Sequence, residues 1–156
     1  MIGREDKKDN DLFYTCGLID YIARKTKNKR VDIVEYLGEK RLKKIYDLAD
    51  VYHSDNIDRV SEDFIKECEI KEGLFDNVSI CSYSIPSHWD IGKVYKRLIK
   101  QVAELKKIDV VKALLLVYHS FISEKIDDYN SSMYYYTPYT RQMSPADRSD
   151  IPSRSL

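Results

Sequence analysis

The sequence predicts an all-α protein: a compact bundle of about six helices, a short irregular or extended segment near 74–86, and a flexible C-terminal tail. Three observations carry this reading. Ile91, Val94, Tyr95, Leu98, Ile99, Val102 and Leu105 recur at the spacing of one helix face. Val110, Val111, Ala113, Leu114, Leu115, Leu116, Val117, Tyr118, Phe121 and Ile122 then leave almost no polar side. A helix apolar all round has to be wrapped by other helices or by a partner chain. Strand-like alternation, in contrast, is confined to Val78, Ile80 and Tyr83.

Taken in order, residues 1–10 are expected to be a charged, frayed arm. Asp11 then serves as N-cap of a first helix from about Leu12 to Lys25, because its carboxylate can accept from free amides of the first turn. The loop Thr26 to Lys29 ends it. A second helix, Arg30 to Leu37, stops at Gly38, a residue suited to a left-handed C-cap. A third runs from Glu39 to Tyr52, and the polar stretch His53-Ser54-Asp55-Asn56 offers caps for a fourth, Ile57 to Cys68. Ser87 and Asp90 approximate a capping box for a fifth helix, His88 to Lys106. Asp109 caps the sixth, which is expected to continue to about Asp128.

A chain of 156 residues suits one domain with a self-sufficient core, here 11–130. The stretch 131–156 holds Tyr134, Tyr135, Tyr136 and Tyr139 with three of the four prolines and shows no period. It cannot bury enough apolar surface to offset its ordering entropy, so disorder, or docking on a partner, is expected.

Lysine plus arginine balances aspartate plus glutamate at 26 each. Net charge therefore supplies no strong nonspecific attraction to nucleic acid or anionic membrane. The charge is unevenly placed. Arg24, Lys25, Lys27, Lys29 and Arg30 put five cations in seven positions, a solvated loop or a contact for phosphate or an acidic partner. Lys93, Lys96, Arg97 and Lys100 form a second basic stripe. Cys16, Cys68 and Cys81 are an odd, widely spaced set, which argues against a secreted disulfide framework. The opening residues are too polar for a signal peptide, and Val110–Ile122 falls short of the roughly 20 residues that span a bilayer. A soluble, reducing, cytoplasmic setting is expected.

Asp50 and His53 lie three apart, so one helix face can let a carboxylate orient an imidazole for acid–base work; the competing reading is helix packing and capping. His53, Cys68, Cys81 and His88 show no metal-ligand spacing, so no metal and no cofactor are expected. His119 reads as a hydrogen-bonded core residue, and Trp89 as an anchor packed against the body. Residues 30–46 have a helix–Gly–helix outline with Arg41, Lys43 and Lys44 on the second helix. Glu39 and Lys44, however, occupy places where a helix-turn-helix wants buried residues. The candidate interaction residues are Asp50, His53, Trp89, Leu114, Val117, Tyr118 and Phe121. The candidate basic contacts are Arg24, Lys25, Lys27, Lys29, Arg30, Lys93, Arg97 and Lys100.

The stretch Leu12 to Ile65 resembles a family of small bacterial helical proteins known only as a domain of unknown function. The similar elements are Leu12-Phe13 with Ile19-Asp20-Tyr21-Ile22-Ala23, then Ile33-Val34-Glu35-Tyr36-Leu37-Gly38, then Tyr46 through Ser54, and Val60-Ser61-Glu62-Asp63-Phe64. In that family an aspartate, two apolar residues and a histidine precede a short loop and an acidic helix, and Asp50, Val51, Tyr52 and His53 match that order. The resemblance implies a small helical protein often encoded beside other small genes, including ones resembling ADP-ribosyltransferase-type toxins. It thus implies an accessory or antitoxin-like partner. It carries no residue-level function.

These observations predict a non-enzymatic helical protein-interaction module, with a protein partner or a second copy of itself and no membrane. The alternatives are a nucleic-acid-binding regulator using the basic helices and an enzyme built on Asp50 and His53.

Overall fold

The first helix, α1, begins earlier than expected and spans Arg4–Thr26. Asp11 is therefore not the expected N-cap. It lies inside the helix, buried, and accepts from Lys7 one turn earlier at 3.0 Å. Lys100 Nζ holds Asp9 at 2.9 Å, so tertiary ion pairing extends the helix into the arm expected to fray. The computed structural model describes residues 4–76 and 86–127. The segment expected to be extended falls mostly on 77–85, and with the tail 131–156 it lies outside the described residues.

The second helix, α2 (Arg30–Asp47), breaks at Gly38 as expected, but as a kink with φ 78° and ψ 162° and not as the left-handed cap. That is a backbone region essentially reserved for glycine, and the helix restarts at once with Glu39 on a new axis. Leu48, at φ −111° and ψ 23°, then separates α2 from a five-residue helix, α3 (Ala49–His53). The single helix expected from Glu39 to Tyr52 is thus broken. The break turns Ala49 into the core and brings Tyr52 to Phe64, with ring centroids 5.6 Å apart. Helix α4 (Ile57–Glu67) starts on Asn56, whose side chain accepts from Asp58 N at 2.8 Å, and buries Val60 and Phe64.

After α4 the chain folds back along the α1–α2 corner. Gly73 N donates to Thr26 O at 2.7 Å and Phe75 N to Lys27 O at 2.9 Å. Helix α5 (His88–Lys106) has a complete capping box: Asp90 N donates to Ser87 Oγ at 3.0 Å, and Ser87 N to Asp90 Oδ2 at 2.9 Å. Asp109 caps α6 (Val110–Tyr118) by accepting from Val111 N at 3.0 Å. The expected run to Asp128 is interrupted at His119 and Ser120, and α7 (Phe121–Asp127) follows.

The core gathers around α1, which packs against α5, α2, α3 and α4, while α6 closes the bundle against α5 and α2. Glycine at two positions permits the closest crossing. A Cβ on Gly92 would stand 3.2 Å from Gly17 N and 3.3 Å from Phe13 O, so the α1 and α5 backbones nearly touch. Ile19, Ile22, Ile33, Leu42, Ile91, Ile99 and Ile126 are wholly buried. Tyr95 and Tyr118 stack with centroids 4.2 Å apart, and the Tyr95 hydroxyl bonds Ser123 Oγ at 2.7 Å. Among the described residues the architecture is all-α, and no helix is long and apolar enough to cross a membrane.

Candidate functional site

Helix α3 brings Asp50 and His53 to a groove it forms with α1, but the two side chains do not join. Asp50 accepts from its neighbour Val51 N at 3.0 Å and faces Lys7 Nζ at 3.8 Å. His53 is exposed and meets Tyr14 and Trp89 instead, with ring centroids 5.2 and 6.3 Å away. The carboxylate therefore does not orient the imidazole, the arrangement on which the acid–base expectation rested. The groove encloses about 360 Å³ and is lined by Lys7, Asn10, Asp11, Tyr14, Ala49, Asp50 and His53. Tyr14 is 2 % exposed, and its hydroxyl has no hydrogen-bond partner. Burial, reinforced by Asp55 and Tyr52, pushes that phenol up to about 12.

Trp89 is the anchor its position at the start of α5 suggested. Its ring lies 5.2 Å from Phe13 and 4.5 Å from His88, and it covers Gly17 so closely that a Cβ there would meet it at 2.5 Å.

The basic run at the α1–α2 corner is solvated only in part: Lys25, Lys27 and Lys29 are exposed, whereas Arg24 is half-buried and Arg30 buried. Arg30 is 2 % exposed; its Nε donates to Asp20 Oδ1 at 2.7 Å and its Nη1 donates to Asp127. Arg24 Nε lies 2.7 Å from Asp20 Oδ2, and Arg24 Nη2 donates to Pro86 O. Lys25 Nζ pairs with Asp58 at 2.6 Å and Glu62 at 2.5 Å, and Lys27 with Glu72 at 3.9 Å. Lys29 Nζ sits 5.7 Å from the Phe75 ring centre. Arg30 is a core residue, so it is withdrawn as a phosphate or acidic-partner contact. A cavity of about 270 Å³ opens here, with Arg24, Lys27 and Arg30 facing Asp20, Asp76 and Asp127 across it. The charges compensate one another. Burial raises the Asp127 carboxyl above its usual range, against the pull of Arg30 and Lys29.

On α5, Lys93 and Arg97 are exposed, whereas Lys100 is held by Asp9 and Lys96 lies 5.9 Å from the Phe13 ring centre. On α6, Leu114, Val117 and Tyr118 are buried, so they cannot present themselves to a partner; they complete the core against α2 and α5. Phe121 and Leu116 are the residues left out, each about half exposed at 51 % and 49 %. The ion pair of Lys112 with Glu39 at 3.1 Å and the approach of His119 Nε2 to Glu35 at 3.4 Å join this outer face to α2. His119 is exposed at the end of α6, with Nδ1 on Leu115 O at 2.7 Å, and is not the core residue expected. Sequence reasoning overlooked Leu116, although it shares one helical face with Lys112 and His119, both polar. It also overlooked Tyr14 and Lys7, whose role depends on where α3 settles.

Among the described residues no three His, Cys, Asp or Glu side chains converge as a metal site. Cys16 is a buried free thiol that burial pushes up to about 12.

Comparison with protein-family models, with curated proteins and with solved structures found no match.

Proposed function

We propose that the chain is a non-enzymatic helical interaction module that engages a protein partner, or a second copy of itself, through the outer face of α6 and the start of α7. One observation carries the proposal: Leu116 and Phe121 stay half exposed near the Lys112–Glu39 ion pair and the His119–Glu35 contact, while their neighbours Leu114, Val117 and Tyr118 fill the core. Apolar anchors inside a charged rim are the usual anatomy of a binding patch. The separation of Asp50 from His53 argues for binding rather than catalysis. Carboxylates on Arg24, Lys25, Lys27, Arg30 and Lys100 remove most of the basic surface a nucleic-acid regulator would use.

The resemblance of Leu12–Ile65 adds an accessory, antitoxin-like role for that module. The odd cysteine count, with Cys16 buried as a thiol, favours a reducing, cytoplasmic setting. Size-exclusion chromatography with light scattering, repeated with the products of neighbouring genes, tests the reading. Self-association or a stable heterocomplex is expected, weakened by the double variant Leu116→Ser with Phe121→Ser. A strict monomer that joins no such product, or a complex indifferent to both substitutions, overturns it.

A further inference from the structure

The polar groups on the outer face of α6 follow a lengthwise pattern. Lys112 and His119 stand about two turns apart on one side of α6, with Leu116 between them. Their carboxylate partners stand on α2: Lys112 Nζ lies 3.1 Å from Glu39, and His119 Nε2 lies 3.4 Å from Glu35. The two contacts fall in opposite order along the two helices, so α6 and α2 run antiparallel here. All four side chains are between 44 and 64 % exposed, so they reach solvent as well as each other. The face is split along its length, with nitrogens on α6 and carboxylates on α2 at matching heights.

We propose that this face pairs with the same face of a second copy, across a two-fold axis parallel to α6 that runs between α6 and α2. Such an axis lies in the contact plane; it exchanges the two sides of the face and keeps the heights. Lys112 then meets the partner's Glu39, His119 meets the partner's Glu35, and symmetry repeats both contacts. An ammonium has about three donors and a carboxylate about four acceptor sites, so each can hold an intrachain and an intersubunit partner together. The same rotation carries Leu116 over the partner's α2 between Glu35 and Glu39. Gly38 lies in that stretch, and nothing stands within 4 Å of where its Cβ would be, which leaves room for a leucine. An unrelated protein would need a matching pattern of its own, whereas a second copy has it by construction. This rests on the α6 face being the binding surface and goes further by naming its occupant.

Analytical ultracentrifugation of the full chain tests the pairing through two charge reversals. The wild type is expected to dimerise. Lys112→Glu makes both sides of the face acidic, and Glu39→Lys makes both sides basic. Each variant alone should therefore self-associate at least about tenfold more weakly, because each change enters the dimer twice. Mixed in equal amounts, the two variants should form a heterodimer about as tight as the wild-type dimer. Recovery on mixing cannot come from the intrachain pair, which stays broken in both chains. Both reversals in one chain should also dimerise like the wild type. A wild-type monomer, single variants that dimerise undiminished, or a mixture that stays monomeric overturns the proposal. A wild-type monomer that still binds a neighbouring gene product through Leu116 and Phe121 overturns the second copy alone and leaves the α6 surface in place. A dimer indifferent to the charge reversals and to Leu116→Ser with Phe121→Ser overturns both.

Discussion

Arg30, in the first turn of α2, donates to the carboxylate of Asp127, 97 residues further along the chain and at the end of α7. The same guanidinium holds Asp20 of α1 at 2.7 Å and lies 5.5 Å from the ring centre of Tyr95 on α5. One buried cation thereby ties together four helices from both ends of the described chain.

Removing that cation would leave Asp127 buried with only the more distant Lys29 among the described cations to offset it, and Asp20 with Arg24 alone. Arg30→Ala is expected to cost about 3–5 kcal/mol, read as a fall in the urea midpoint with an unchanged slope. Asp127→Asn should cost less, because burial already disfavours the charged form of this carboxyl. A near-neutral Arg30→Ala would show that the network contributes little to stability.

The contact of Gly17 with Trp89 has no room for a methyl group. Gly17→Ala puts a Cβ 2.5 Å from the indole, which has to move, and overpacking of this kind costs about 1–3 kcal/mol. Trp89→Leu in the same chain should recover part of that loss, so the two changes should couple in a double-mutant cycle followed by thermal denaturation. Simple additivity would place the strain elsewhere.

His88 introduces a pH dependence. It is half-buried against Trp89 and edge-on to Tyr21 at 5.0 Å, and its Nε2 has no hydrogen-bond partner. Burial, with Arg24 assisting and Asp20 and Asp90 opposing, lowers it from 6.5. The unfolded chain therefore binds the proton more readily. Stability is complete above the unfolded value and falls as pH drops through 6.5 toward the lower folded value. Denaturant midpoints between about pH 7 and 5 should decline, and the decline should flatten in His88→Phe. A midpoint that rises on acidification contradicts this.

Gly38 tests a purely backbone effect. Nothing lies within 4 Å of a Cβ there, yet φ is +78°. Gly38→Ala should therefore cost about 1–3 kcal/mol through conformational strain alone, measurable by chemical denaturation. An unchanged midpoint would mean that the helix kink relaxes freely.

Signals confined to a few neighbouring residues were legible in the sequence. Ser87 with Asp90, Asn56, Asp109 and Gly38 mark helix ends because capping involves groups within one turn. The breaks at Leu48 and at His119–Ser120 were not legible, since neither site carries a glycine or proline and the apolar period runs through both. The start at Arg4 was missed for a similar reason: Lys7–Asp11 is local, but Asp9 is held by Lys100 from α5. In the candidate groove, Asp50 and His53 could be named from their spacing. Their separation depends on how α3 leans on α1.

The sequence by itself determined that the described chain would be helical, where most helices begin, and that Leu12, Ile19, Ile22, Val94 and Ile99 would face inward. Periodicity and capping act over three or four residues, so they are written in order along the chain. Only the tertiary structure decided that Leu114 is covered while Leu116 is not, and that Arg30 of a basic run is a core residue. It alone also set two acids and a buried phenol around one groove. Burial and charge pairing are properties of whatever arrives from elsewhere in the chain, and spacing along the sequence carries no record of that arrival.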